Sequence, residues 1–172
     1  MRTPKVGVDL ALRKGGIAFI DPTGQAVVGS FDIGSGTTKL SVPQFIQRYE
    51  KTLIPKLLGY PADSQFYVDW SPNEFQFGGR TSLRAVSMKS FLAGYLYQRL
   101  IRERRQIVFL TPQEVRAALG FPKNLKKELV HVRFVQEFRL PDSITRNFTN
   151  WSPDSRDAYI LAYVGGLLEE DD

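Results

Sequence analysis

Residues 5–20 constrain the fold more than any other stretch of this chain. Val6, Val8 and Leu10 alternate with Gly7 and Asp9, and Ile17-Ala18-Phe19-Ile20 follows a basic turn carrying Gly15 and Gly16. Alternation of period two predicts a strand with one buried face. The connection from Leu12 to Gly16 is short enough to fold the two runs into a hairpin. An ionised carboxylate inside such a strand is costly unless it is paired, hydrogen-bonded or bound to a cation. Asp9 is therefore either a functional acid or a partly exposed residue of an edge strand, and these residues alone leave both open.

Asp21-Pro22-Thr23-Gly24 reads as a turn and residues 26–33 as a third strand, so the first three strands form an antiparallel meander. Gly34-Ser35-Gly36 lacks the Lys-Ser/Thr pair of a phosphate loop and is a plain connection. Ser41 caps a helix with Phe45, Ile46, Tyr49, Leu53 and Ile54 on one face, closed by Pro55 and Pro61. A fourth strand, residues 65–70, carries Asp69 near its end, where residues of an open α/β sheet face the ligand crevice. The loop from Ser71 to Ser82 holds Glu74, Phe75, Phe77 and Arg80. Its rings either tuck under the loop or stand exposed beside basic charge to stack on bases.

Residues 83–104 read as a helix that is apolar on nearly every side, which needs partners on more than one face: the sheet, and a second subunit. A fifth strand spans residues 106–110. Thr111-Pro112-Gln113-Glu114 starts a short helix that Gly120 stops. Lys123 to Glu128 lead into a helix ending near Phe138, and residues 140–151 read as irregular. A last helix opens at Ser152-Pro153 and gives way to an acidic tail at about residues 169–172. The expected architecture is one α/β domain over residues 1–172. It has a mixed five-stranded sheet, an antiparallel meander plus two parallel strands, with helices on both faces.

Composition removes whole classes of chemistry. There is no cysteine and one histidine, His131, which excludes disulfides and thiolate metal sites and disfavours a histidine-rich zinc centre or a Ser-His-Asp triad. A metal would be held by oxygen, which favours magnesium, manganese or calcium. The net charge of +5 permits a polyanionic partner. With no membrane-length apolar run and no signal-peptide core, no membrane partner is expected.

Asp154 and Asp157 are three apart and share a helix face, at the end whose dipole favours negative charge. Acidic residues are common in first helical turns, so the pair alone says little. The order is more telling: Asp9 in strand one, Asp69 closing strand four, then Asp154-Ser155-Arg156-Asp157-Ala158 opening the last helix. In this order the chain resembles the RuvC-type Holliday-junction resolvases of the RNase H-like (retroviral-integrase) superfamily. Residues 7–16 resemble the family's opening Gly-hydrophobic-Asp motif, Asp69 its second acid, residues 154–158 its terminal Asp-x-x-Asp-Ala, and residues 111–115 its Pro-x-x-Val helix opening. Lys123, Lys126 and Lys127 fall where the family carries basic DNA-contacting residues. The second acid is usually glutamate, and Glu74 lies close to Asp69 in sequence. Asp9-Leu10-Ala11 replaces the common Asp-Pro-Gly. These departures suggest a divergent branch, phage or organellar.

The resemblance implies an RNase H-like fold and an endonuclease that resolves four-way DNA junctions by paired symmetric nicks. It also implies a homodimer, with a helicase partner left open, in the cytoplasm of a bacterial or phage-infected cell or in an organelle. Two Mg2+ or Mn2+ ions per active site would be held by Asp9, Asp69, Asp154 and Asp157, with Asp9 bridging, because four clustered carboxylates repel one another until cations join them. Lys14, Phe75, Phe77, Arg80, Lys123, Lys126 and Lys127 are the candidate nucleic-acid contacts. The alternatives are a related nuclease acting on other branched DNA or RNA–DNA hybrid, and an inactive junction-binding protein.

Overall fold

The computed structural model describes residues 3–36, 39–70 and 83–170. Strands β1 (Lys5–Asp9), β2 (Lys14–Ile20) and β3 (Ala26–Asp32) form the expected meander. Helices α1 (Val42–Thr52) and α2 (Ile54–Leu58) lead into β4 (Gln65–Asp69), α3 (Leu83–Arg102) into β5 (Gln106–Leu110). The helices α4 (Pro112–Ala118), α5 (Lys127–Glu137), α6 (Asp142–Phe148) and α7 (Pro153–Glu170) complete the chain. The sheet order is β3-β2-β1-β4-β5, with β4 parallel to β1 and β5 parallel to β4.

The two-residue period of β1 and β4 decides which core lies where. Val6, Val8, Phe66 and Val68 point to one face, where they pack with Phe45 and Tyr49 of α1, Leu57 of α2 and Met88, Leu92, Leu96 and Leu100 of α3. Tyr67 points to the other, into a core made with Phe134 of α5, Phe148 of α6, and Ala158, Tyr159 and Leu161 of α7. Lys5, Gly7 and Asp9 alternate with Val6 and Val8, and so belong to the α7 side of the sheet.

Gly7 and Gly16 let α7 lie directly on the strands. A β-carbon at Gly7 would stand 1.8 Å from the carbonyl oxygen of Ala158, and one at Gly16 would stand 2.0 Å from that of Asp154. The helix runs antiparallel to β1, and its far end is fixed by an ion pair between Glu169 and the buried Lys5, whose ammonium also donates to Gln65 Oε1 at 2.9 Å. Removing one partner of a buried pair strands the other. Glu169→Ala is expected to cost about 2 kcal/mol in urea unfolding, below the fully buried range because Glu169 is partly solvated.

Three boundaries differ from the sequence reading. Residues 140–151 are not irregular: α6 forms there, and only Ile144 and Phe148 are buried, too few for a visible period. The first helix divides at Leu53, because Pro55 cannot donate to the preceding turn. The acidic stretch from residue 169 begins inside α7 rather than in a tail. The cap of α4 is as expected: Glu114 N–H donates to Thr111 Oγ1 at 3.2 Å, and Thr111 N–H to Glu114 Oε2 at 2.7 Å. Among the described residues, no helix is long and apolar enough to cross a membrane.

Candidate active site

Asp9 and Asp69 are the last residues of neighbouring parallel strands paired at Val8 and Val68, so both acids emerge at the same edge of the sheet. The Leu10 N–H donates to Asp69 Oδ1 at 2.5 Å, which ties the second acid to the backbone just after the first. Lys89 of α3 pairs with Asp69 Oδ2 at 3.1 Å. The segment after Asp9 is also held from the opposite core, where the buried Tyr49 hydroxyl donates to the Ala11 carbonyl. Burial raises the Tyr49 phenol, with the negative charge of Asp69 adding to it, so Tyr49 remains a donor.

The opening turn of α7 comes to the same edge because it is anchored three ways. Ser155 N–H donates to Ser152 Oγ at 3.2 Å, and Ser155 Oγ donates to the Gly29 carbonyl at 3.1 Å. Arg156 donates from Nε to the Phe148 carbonyl at 3.0 Å, closing the corner between α6 and α7. Asp154 and Asp157 then line one cleft with Asp9 and Asp69, together with Lys89, Arg116 and Lys127, around a volume of about 450 Å³.

Charge in this cleft is unevenly held. Burial, then the charges of Asp69 and Asp157, push the Asp9 carboxyl well above the ordinary carboxylate range; Lys127 opposes the rise and Asp154 adds to it. Burial works to lower the Lys127 ammonium, but Asp157, Asp9 and Asp154 outweigh it and raise it. Asp157 is held by two groups of α5, His131 Nε2 at 2.6 Å from Oδ1 and Lys127 paired with Oδ2. The two oxygens of Asp157 thus have different partners, the imidazole on Oδ1 and the ammonium on Oδ2.

Among the described residues, no three acids or histidines stand together as a ready-made metal-ligand group. Lys89 pairs with Asp69 and Lys127 with Asp157, each supplying positive charge that a cation would otherwise supply. The donor set still suits a hard divalent ion. All four candidates offer carboxylate oxygen, and at Asp9 burial and the charges of Asp69, Asp157 and Asp154 outweigh Lys127, a repulsion that a bound cation would relieve.

The cleft thus brings together Asp9, Asp69, Asp154, Asp157 and Lys127. Lys127, expected as a phosphate contact, pairs with Asp157, and its side chain stays 54% exposed. Lys123 and Lys126 are exposed beside it. Lys14 is exposed at the start of β2, 3.6 Å from Asp32 Oδ2. Phe75, Phe77, Arg80 and Glu74 lie outside the described residues. Lys89, Arg116 and His131 were not anticipated from the sequence. A cation in the apolar run of α3, and the spacing of Lys127 and His131 at i and i+4, were the signals available.

No protein-family model matches this sequence, and no curated protein matches it. Among solved structures it is similar to RuvC of Thermus thermophilus at 12% identity and a TM-score of 0.63, covering 98% of this chain and 96% of that one. The same protein solved in complex with a Holliday junction substrate gives a TM-score of 0.62 at 12% identity and the same coverage. The yeast mitochondrial Holliday junction resolvase Ydc2 gives a TM-score of 0.48 at 12% identity, covering 96% of this chain and 80% of that one. Over nearly its whole length, this chain has the RNase H-like fold of RuvC.

Proposed function

We propose that the protein is a divalent-metal-dependent endonuclease that resolves four-way DNA junctions by paired, symmetric nicks. The observation that carries this reading is the meeting of Asp9, Asp69, Asp154 and Asp157 at one cleft on the RuvC fold. Mg2+ or Mn2+, two ions per site, would neutralise charge at the phosphorus and acidify a bound water. Asp9, between the β4 and α7 acids, is the residue suited to bridge them. Asp69 would hold one side, fixed by the Leu10 N–H, and Asp154 and Asp157 the other, fixed by the anchored turn of α7. Lys123 and Lys126, exposed at the start of α5, would take the DNA backbone, and Lys14 would reach it from β2. Phe75, Phe77 and Arg80 are proposed contacts at the junction's crossover.

A homodimer suits a substrate with two-fold symmetry, since two copies supply two sites. Its support is α3, where Phe91, Tyr97 and Ile101 stay about half exposed while Met88, Leu92 and Leu96 face the core. Sedimentation of the free chain tests the pairing.

A panel of end-labelled junction, flap, duplex and RNA–DNA hybrid, incubated with Mg2+, tests the activity. Symmetric nicks in the junction and an intact duplex are expected. Cleavage of hybrid alone would make it a different RNase H-like nuclease. Junction binding without cutting, in either Mg2+ or Mn2+, would make it a binding protein.

A further inference from the structure

We infer that His131 is a positioning residue for the carboxylate site, holding Asp157 by Oδ1 so that Oδ2 is the oxygen presented to a cation. The inference rests on the metal-dependent reading above and adds a residue that reading does not use. His131 is the one histidine of the chain and is 7% exposed. Its Nε2 lies 2.6 Å from Asp157 Oδ1, and its ring stands edge-on to Phe148, with centroids 6.2 Å apart and planes at 80°.

Four residues earlier on α5, Lys127 takes the other oxygen of the same carboxylate. The two partners differ in what they can do next. The imidazole is walled in by Phe148 and has two side-chain torsions, so it stays where it is. The ammonium sits on a flexible four-carbon stem that is 54% exposed, so it can swing aside where a cation replaces its positive charge. Oδ1 is therefore the held oxygen and Oδ2 the exchangeable one, with Lys127 keeping the place of a cation. Fixing one oxygen also fixes the plane of the carboxylate, which is how hydrogen bonds behind a metal ligand raise affinity. A histidine serving only the core would be indifferent to which oxygen faces the cleft.

The lone histidine makes a direct test possible without mutation. In untagged, DNA-free protein, the imidazole 15N and Hε1 resonances form one set. They are expected to shift on adding Mg2+, with the same midpoint as calorimetric Mg2+ binding. His131→Leu is expected to weaken Mn2+ binding by roughly 10–100-fold, and His131→Gln, whose amide nitrogen reaches the same oxygen, to recover most of it. Resonances that stay still through metal saturation overturn the inference, and so does a folded His131→Leu protein that binds Mn2+ as wild type does. If His131→Leu fails to fold, the resonances and His131→Gln decide. Wild-type protein that binds neither ion overturns the nuclease reading itself, and the role of His131 with it.

Discussion

Asp9→Asn is expected to abolish junction cleavage, leave junction binding intact or tighter, and raise the melting temperature of the metal-free protein. The first two effects follow from its place between the β4 and α7 acids: the amide cannot bridge cations, and one negative charge near the DNA is gone. The third follows from the direction in which its carboxyl is displaced. Burial and the charges of Asp69 and Asp157 raise it, so the fold favours the protonated form. The stability this confers is complete below the unfolded value, near pH 4, and is lost as pH climbs through the raised folded value. Wild type should therefore fall behind Asp9→Asn above that window, by a few degrees in melting temperature, and match it in acid. Gel-based cleavage, junction titration and thermal melts from acid to neutral pH measure all three. A folded variant that cuts within about tenfold of wild type would remove Asp9 from the mechanism.

The second large effect is expected from a residue with no side chain. Gly16→Ala places a methyl group 2.0 Å from the Asp154 carbonyl, where real β-carbons keep at least 3.0 Å. Something must move by at least 1 Å, and the three nearest atoms are all backbone of the helix turn that carries two of the four acids, so either that turn or the strand beneath it gives way. A displacement of about 1 Å at a reacting centre costs on the order of 100-fold in rate. Single-turnover cleavage by Gly16→Ala should fall by about that factor while junction affinity holds, because the exposed Lys123 and Lys126 leading into α5 are untouched. Circular dichroism and melting check that the protein is folded. Unchanged single-turnover rates would mean that the strand, not α7, absorbs the methyl group.

How much of this was legible beforehand depended on the range of the interaction. Strand β1 was readable because alternation is local, and the same alternation put Asp9 beside Gly7 on one face. Asp69 was readable because a strand end is local too. The first turn of α7 was readable as a motif, but not the reason it reaches the cleft, since the Ser155 hydroxyl bonds to Gly29 across 126 residues of sequence. Helix α6 was missed because two buried side chains cannot declare a period. Lys89 and His131 were missed because their partners, Asp69 and Asp157, sit on other elements, and only the fold brings a cation or an imidazole to an acid.

Helix α7 bears on bare backbone at two places, Gly16 under its first turn and Gly7 near its middle, and is clamped to Lys5 at its far end. Such a rod behaves as a beam with a fulcrum. With the fulcrum midway between the Ala158 and Ala162 contacts, Asp154 lies six residues to one side, about 9 Å, and Glu169 nine to the other, about 14 Å. Tilting about that fulcrum would move Asp154 by about two thirds of any motion at Glu169, in the opposite direction. Gly16 stops the acids from sinking toward the sheet but not from lifting away. The ion pair at Lys5, at the other end of the helix from any chemistry, thus bears on the height of Asp154, and less on that of Asp157, above the strand that carries Asp9.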